Sequence, residues 1–191
     1  YDIYRKEILN DKIKYFFPDI NKEILIKSPQ ASMTVEEVIN MKEKKVDSTG
    51  IKLWPAEEVL GFFISKNIED YNSKKVIELG AGYSGLASLI LALYCIEKKI
   101  HVDITITDEL EICTERILEN VFLNEEITKY FKIFKDGSAI KVPAENEGLG
   151  TIHIQTLIWS KDFRTDNKYD YIIASDCLFF KNFHIDLAHM I

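Results

Sequence analysis

With 191 residues, the chain is long enough for one domain with a full core, and its formal net charge of −7 disfavours a general nucleic-acid surface, which needs clustered Lys and Arg. Cys95, Cys113 and Cys177 are an odd number without paired spacing, so a reducing compartment, the cytoplasm and also the nucleus, is expected rather than a disulfide framework. No apolar run approaches membrane-spanning length and the charged start lacks a secretory pattern, so a monomer with neither a membrane nor a nucleic-acid partner is expected.

Residues 3–17 carry Ile3, Ile8, Leu9, Ile13, Phe16 and Phe17 among charges, which predicts an amphipathic helix closed by Pro18. A short strand is expected over 23–27. Thr34-Val35-Glu36-Glu37 fits a capping box and opens a helix to Met41. The charge run 42–45 reads as a solvated segment rather than a ligand site. At Pro55 another helix begins, with Glu57 and Glu58 favourable in its first turn, and it is expected to reach about Asn67. Trp54 precedes it, held extended by the proline. It either plugs the helix end into the core or packs against a ligand.

Val76-Ile77-Glu78-Leu79-Gly80-Ala81-Gly82-Tyr83-Ser84-Gly85 passes from a short apolar run through a glycine cluster into a helical apolar pattern, and reads as strand, tight turn and helix. Gly80, Gly82 and Gly85 fit the G-x-G-x-x-G spacing, which many nucleotide and dinucleotide binders share. Glu78 narrows the field. A carboxylate two residues ahead of the first glycine repels a pyrophosphate and attracts an ammonium group. S-adenosylmethionine carries an α-ammonium and a sulfonium and no phosphate, which favours a methyl donor over NAD.

Residues 101–108 alternate through β-branched positions and form a second strand. Asp108 ends it, at the edge where open parallel sheets bind ligands. It is either an acceptor for a ribose diol or the cap of the next helix, 111–123. Residues 124–150 are turn-rich and poorly patterned and predict a long mobile insertion. A third strand is expected over 151–158, followed by Trp159, and a fourth over 168–174, running into Ser175-Asp176-Cys177-Leu178-Phe179-Phe180. A last helix starts at His184. This β-α-β-α-β-x-β-α order predicts a doubly wound, mainly parallel α/β sheet with helices on both faces. Since a fourth strand left as an exposed apolar edge is unfavourable, further strands are expected past Ile191. His101, His153, His184 and His189 lack metal-ligand spacing, so no metal is expected. Cys177 has no histidine arranged with it and reads as a small buried residue. Phe62, Phe63, Leu89 and Leu93 read as core.

Thr49-Gly50 with Trp54-Pro55-Ala56-Glu57-Glu58-Val59-Leu60, then Glu78-Leu79-Gly80-Ala81-Gly82, Thr107-Asp108, Trp159 and Ser175-Asp176-Cys177-Leu178-Phe179, together resemble the seven-β-strand protein-lysine methyltransferases. Within them the likeness is to the calmodulin-modifying branch, through similar T-G-x-x-x-W-P-x-E-E-V-L and A-D-C-L-F blocks. It covers about residues 49–180, which makes 1–48 an N-terminal extension and 49–191 the methyltransferase domain. The resemblance implies a Rossmann-like sheet with S-adenosylmethionine bound across the C-terminal ends of its first strands. Trp54, Gly80, Ala81, Gly82, Asp108, Trp159 and Ser175 would line that site beside Glu78. Asp108 would hold the ribose hydroxyls, and Trp159 would pack against the adenine. Asp176 begins the family's D-x-x-Y or D-x-x-F motif with Phe179 as its aromatic, and this catalytic pair would face the target lysine. Ser175 stands where the family commonly has alanine. Nucleic-acid amino-methylases carry Asn-Pro-Pro-Tyr-like residues where this chain has Ser175-Asp176-Cys177-Leu178, so a protein substrate is implied. Calmodulin is the partner the likeness points to, although it is itself acidic and long-range charge opposes the encounter.

Transfer of this kind is an in-line displacement, in which positioning alone supplies up to about 7–11 kcal/mol. The lysine, with a pKa of about 10.4 in water, must first lose its proton. Desolvation beside Phe179 would lower that pKa, whereas the Asp176 carboxylate would stabilise the ammonium. Asp176 is therefore assigned to docking and orienting the nitrogen, with a role as helix cap as its alternative. Two rival functions stay open. An NAD-dependent oxidoreductase on the same turn is opposed by Glu78 and the Trp54 block, and a donor-binding regulatory module without catalysis is separable only by a methylation assay.

Overall fold

The computed structural model describes residues 4–29, 52–140, 148–178 and 181–191. The helix expected from Thr34, the charge run 42–45, Thr49-Gly50 and Phe179 lie outside them.

The chain opens with three antiparallel strands, β1 (Arg5–Ile8), β2 (Lys12–Phe17) and β3 (Lys22–Lys27), in the order β1-β2-β3. This corrects the expected helix over 3–17. A helical count of apolar residues leaves out Tyr15, and with it the period of two. Ile13, Tyr15 and Phe17 are buried and alternate with Lys12, Lys14 and Phe16, so one face of β2 goes inward beside Ile24 and Ile26 of β3. The strand expected over 23–27 is present. Pro18 ends a strand, and the turn closes at Asn21 with φ 51°.

The second sheet follows α1 (Pro55–Lys66) and comprises β4 (Lys74–Glu78), β5 (Val102–Asp108), β6 (Phe131–Lys135), β7 (Ser138–Ile140), β8 (Gly150–Thr156) and β9 (Tyr171–Ile173). Its order is β7-β6-β8-β5-β4-β9, parallel throughout except for β7. Between the strands run α2 (Leu86–Lys98), α3 (Glu111–Leu123) and α4 (Glu125–Tyr130), and α5 (His184–Met190) comes last. Along β4 alternate residues enter opposite layers. Val76 joins Ile104, Ile106, Ile152 and Ile154 in the large core with α1, α2, α3 and the small sheet, while Ile77 and Leu79 pack with Leu187 of α5. The expected mainly parallel α/β architecture with helices on both faces is what the chain adopts.

α2 has every residue from Leu86 to Ile96 buried. A helix that is apolar all round must be covered all round, and α2 packs against α1, α4, β3 and β5. Its approach to α1 runs through Gly61, where a Cβ would lie 2.3 Å from Ile90 Cδ1. The inward face of α1 is Glu57, Gly61, Ile64 and Ser65. Phe63, expected in the core, projects from the opposite face and is 59% exposed.

The mobile insertion expected over 124–150 is also corrected. α4 and the β6–β7 hairpin fill most of it, turning at Asp136-Gly137. Phe131 and Ile133 are buried because β6 pairs in parallel with β8 and extends the sheet. Gly150 begins β8 between β5 and β6. A Cβ there would sit 1.8 Å from the Val102 carbonyl oxygen, so no side chain fits.

Candidate functional site

Four strand ends and the start of α1 converge at the C-terminal edge of the parallel sheet, where such sheets bind ligands. β4 ends at Glu78 and enters the turn Gly80-Ala81-Gly82-Tyr83-Ser84-Gly85, whose three glycines have φ of 64°, 62° and 59°. The turn is strung between its neighbours. Leu79 N–H donates to the Ile173 carbonyl at 2.9 Å on the β9 side, and Ala81 N–H donates to the Thr107 carbonyl at 2.8 Å on the β5 side. A Cβ on Gly80 would lie 3.0 Å from the Trp159 ring and 3.1 Å from Cys177 Sγ, so the two chain segments after β8 and β9 close over this glycine. Both segments can pack this closely on the turn only because position 80 has no side chain.

Asp108 is buried and reaches both ways. Its Oδ2 accepts the Gly82 N–H at 2.8 Å and its Oδ1 accepts the Leu110 N–H at 2.9 Å. The second bond ties the carboxylate to Leu110 just ahead of α3, which begins without a side-chain cap bond, so the alternative of a helix cap is not realised; the first braces the turn. The Cys113 thiol and the Glu109 N–H also bond this carboxylate. Burial raises the Asp108 carboxyl above the ordinary aspartate range, with these bonds opposing the shift.

Glu78 is fully buried. Its Oε2 accepts the Ser88 N–H at 3.2 Å and the Ser88 hydroxyl, while Oε1 has no hydrogen-bond partner. Burial pushes its carboxyl up to about 7, the Ser88 bonds opposing and the Asp108 charge adding to the rise. A third buried carboxyl completes the cluster. Glu57, in the first turn of α1, accepts the Ser84 hydroxyl, and its own N–H donates to the Trp54 carbonyl at 3.1 Å. Burial drives the Glu57 acid well above its usual range; the Ser84 bond opposes this, and the charges of Glu78, Asp108 and Glu58 reinforce it. Among the described residues no salt bridge reaches any of the three, and they do not form a group able to hold a metal ion. Three acids sealed around one turn without a cation are a costly arrangement that a cationic ligand relieves. The free Oε1 of Glu78 fits an ammonium donor, and the same charge is hostile to a pyrophosphate.

The sheet thus brings Glu78, Gly80, Ala81, Gly82, Asp108, Trp159 and the Ser175-Asp176-Cys177 segment to one edge. Trp54 stands at the head of α1 in extended conformation, φ −100° and ψ 137°, half-buried, and is tied to the turn through Glu57 and Ser84. Trp159 meets Phe183 edge-on at 6.4 Å. Asp176 is exposed just past β9 with φ 53°, a conformation Asp tolerates better than most residues. It does not cap α5, which begins after Phe183 without a side-chain cap. Cys177 is half-buried rather than fully buried. Its thiol donates to the Leu79 and Ser175 carbonyls at 3.3 and 3.2 Å, and burial pushes it up to about 12, so it is no nucleophile.

Sequence reasoning missed Glu57, Ser84, Ser88 and Asn120. Glu57 passes for an ordinary acid in a helix's first turn, and only its burial, 3% exposed, reveals a different role. Ser84 lies inside the glycine motif and Ser88 in the first turn of α2, and neither has a distinguishing pattern.

The sequence profile of the lysine methyltransferase family matches residues 34–135, more than half of the chain. The chain belongs to the lysine methyltransferase family. Members of this family take the methyl group from S-adenosylmethionine. Three curated relatives agree in kind. A calmodulin-lysine N-methyltransferase of Arabidopsis thaliana is 33% identical over 149 residues, covering 76% of this chain and 41% of that protein. Methyltransferase-like protein 23 of Dictyostelium discoideum is 28% identical, covering 75% and 54% respectively. The putative methyltransferase-like protein 21E pseudogene of Homo sapiens is 30% identical, covering 70% and 42%. The chain therefore spans about half the length of these family relatives or less.

Proposed function

We propose that this chain forms the donor-binding and catalytic part of an S-adenosylmethionine-dependent protein-lysine N-methyltransferase of the cytoplasm, acting on calmodulin or a similar protein. The observation that carries the reading is the buried, unpartnered Glu78 oxygen within an acid cluster around the glycine turn. When bound, the donor supplies a methyl group on a sulfonium, activated for in-line displacement. The chain's residues then have three tasks. Glu78 takes the α-ammonium, with Glu57 adding negative potential. Asp108 accepts the ribose hydroxyls while holding Gly82 and Leu110, Trp159 packs on the adenine, and Trp54 and Ser175 flank the nucleoside. The small residues Gly80, Ala81 and Gly82 line the donor from the turn. Asp176 and Phe179 meet the substrate lysine, the carboxylate orienting its nitrogen and the aromatic ring excluding water, which lowers the amine's pKa. Catalysis is chiefly alignment of a neutral amine with the methyl carbon.

The likeness to a calmodulin-lysine enzyme supports the substrate assignment. The test has two arms. Calorimetry on the full-length protein should show binding of S-adenosylmethionine and none of NADH; the reverse refutes the donor assignment. Mass spectrometry of calmodulin and of a lysate after incubation with labelled donor should show label on lysine. Donor binding without any labelled protein would assign the chain to a regulatory module instead.

A further inference from the structure

The glycine turn is held from a direction that its motif does not announce. Asn120, on α3, is fully buried and joins three backbone groups from two parts of the fold. Its Oδ1 accepts the Lys27 N–H of β3 at 2.9 Å. Its Nδ2 donates to the carbonyls of Tyr83 and Ser84, inside the turn, at 3.3 and 3.2 Å. One N–H and two carbonyls must be satisfied at a single buried point, and a primary amide offers an acceptor and two donors there. One helical turn earlier on the same face, Ile117 seats against Gly85, whose absent Cβ would lie 3.2 Å from Ile117 Cγ2. The chain of bonds then continues, since Ser84 donates its hydroxyl to Glu57 and receives the Leu86 N–H at 3.2 Å. The small N-terminal sheet is thus wired to the backbone that surrounds the acid cluster.

Asn124 provides the contrast. It sits four residues further along and seals the same strand edge, accepting the Leu25 N–H and donating to the Leu25 carbonyl, both at 2.9 Å, and donating to the Asn120 carbonyl at 2.6 Å. Its side chain has no bond to the turn. Both asparagines therefore dock the sheet, and one of them also holds the turn.

We propose that Asn120 is a positioning residue of the donor site, through which the N-terminal three-stranded sheet sets the shape of the glycine turn. The proposal rests on the reading of that turn as the donor site. The experiment compares Asn120→Ala and Asn124→Ala in the full-length protein, by thermal melting and by calorimetric titration with S-adenosylmethionine below both melting temperatures. Both variants should melt earlier by comparable amounts, since each loses buried amide bonds to β3. The Kd of Asn120→Ala should rise at least fivefold, while that of Asn124→Ala stays within twofold of the parent. Equal changes in Kd, or an unchanged Kd for Asn120→Ala, overturn the proposal and reduce Asn120 to a docking residue. Should Asn120→Ala fail to fold, hydrogen exchange on the parent protein decides: the donor should slow exchange of the Lys27 amide more than that of Leu25. Equal protection of the two amides refutes the coupling. A parent protein that does not bind the donor at all removes the functional reading first and this inference with it.

Discussion

A carboxyl group shut away from water at the end of β4 destabilises the fold unless something positive reaches it, and Glu78 has one oxygen left for that purpose. Replacing Glu78 by Gln keeps the shape and removes the charge. The variant should bind S-adenosylmethionine more weakly by roughly 1.5–3 kcal/mol, the range of a hydrogen bond to a charged group, without losing thermal stability in the absence of donor. Titration calorimetry paired with melting curves measures both, and an unchanged Kd would remove Glu78 from the donor site. Asp108 has two duties, so Asp108→Ala should weaken the donor by a similar roughly 1.5–3 kcal/mol and also lower the melting temperature, because the Gly82 and Leu110 N–H groups lose their acceptor. Asp176 is exposed and accordingly dispensable for folding. Asp176→Asn should retain donor affinity and lose methyl transfer, read by mass spectrometry of the substrate; full turnover would reassign it to the conformation of its turn.

Among the elements, the strands at the rim are set by contacts that local pattern does not contain. β8 can slide between β5 and β6 only because it starts with Gly150, whose neighbour is the Val102 carbonyl. Gly150→Ala should cost about 1–3 kcal/mol or more, since the overlap is with backbone and cannot be relieved by a rotamer change. Chemical denaturation would register it, and an unaffected midpoint would mean that β8 pairs in another register. Among the described residues β3 ends its sheet, and the amides of Asn120 and Asn124 bond the edge groups that would otherwise invite aggregation. The N-terminal sheet is thus an integral layer over α2 and α3.

For the molecule as a whole, the buried acids predict an unusual dependence of stability on pH. Glu78 titrates near 7 in the folded state against an ordinary value of 4.5, and burial moves Glu57 and Asp108 in the same direction. Between about 4.5 and 7 the folded chain holds protons that the unfolded chain has released, so stability without donor should fall as pH rises through that window. Further acidification reverses the trend. Glu58, despite partial burial, is held below its usual range by Lys6, Tyr4 and Tyr15, and Glu119 by Lys27 and Arg116, and both lose that stabilisation once protonated. Urea midpoints at pH 5.5 and 7.5 test the sign. Saturating donor should shrink the difference, because a bound ammonium favours the ionised acids. A midpoint that rises from 5.5 to 7.5 without donor would contradict the burial of the cluster.

By itself the sequence determined the strand–turn–helix around Gly80, the helix beginning at Pro55, the strand ending in Asp108 and the mainly parallel character of the sheet. These are short-range matters, in which glycine spacing, proline position and β-branched alternation leave the backbone few choices. It also placed an acid, Glu78, at the end of the strand that leads into the glycine turn. Tertiary structure decided what depends on partners distant in the chain. Lys12 to Phe17 became a strand because Ile24 and Ile26 lie across from it. Residues 125–140 became a helix and a hairpin because β8 gave β6 an edge to pair with. Glu57 turned from a dipole-favoured surface acid into a buried member of the site, and Asn120 into a tie between two layers, because burial and hydrogen-bond closure are properties of the packed chain. No spacing of residue types records which side chain will be shut away from water.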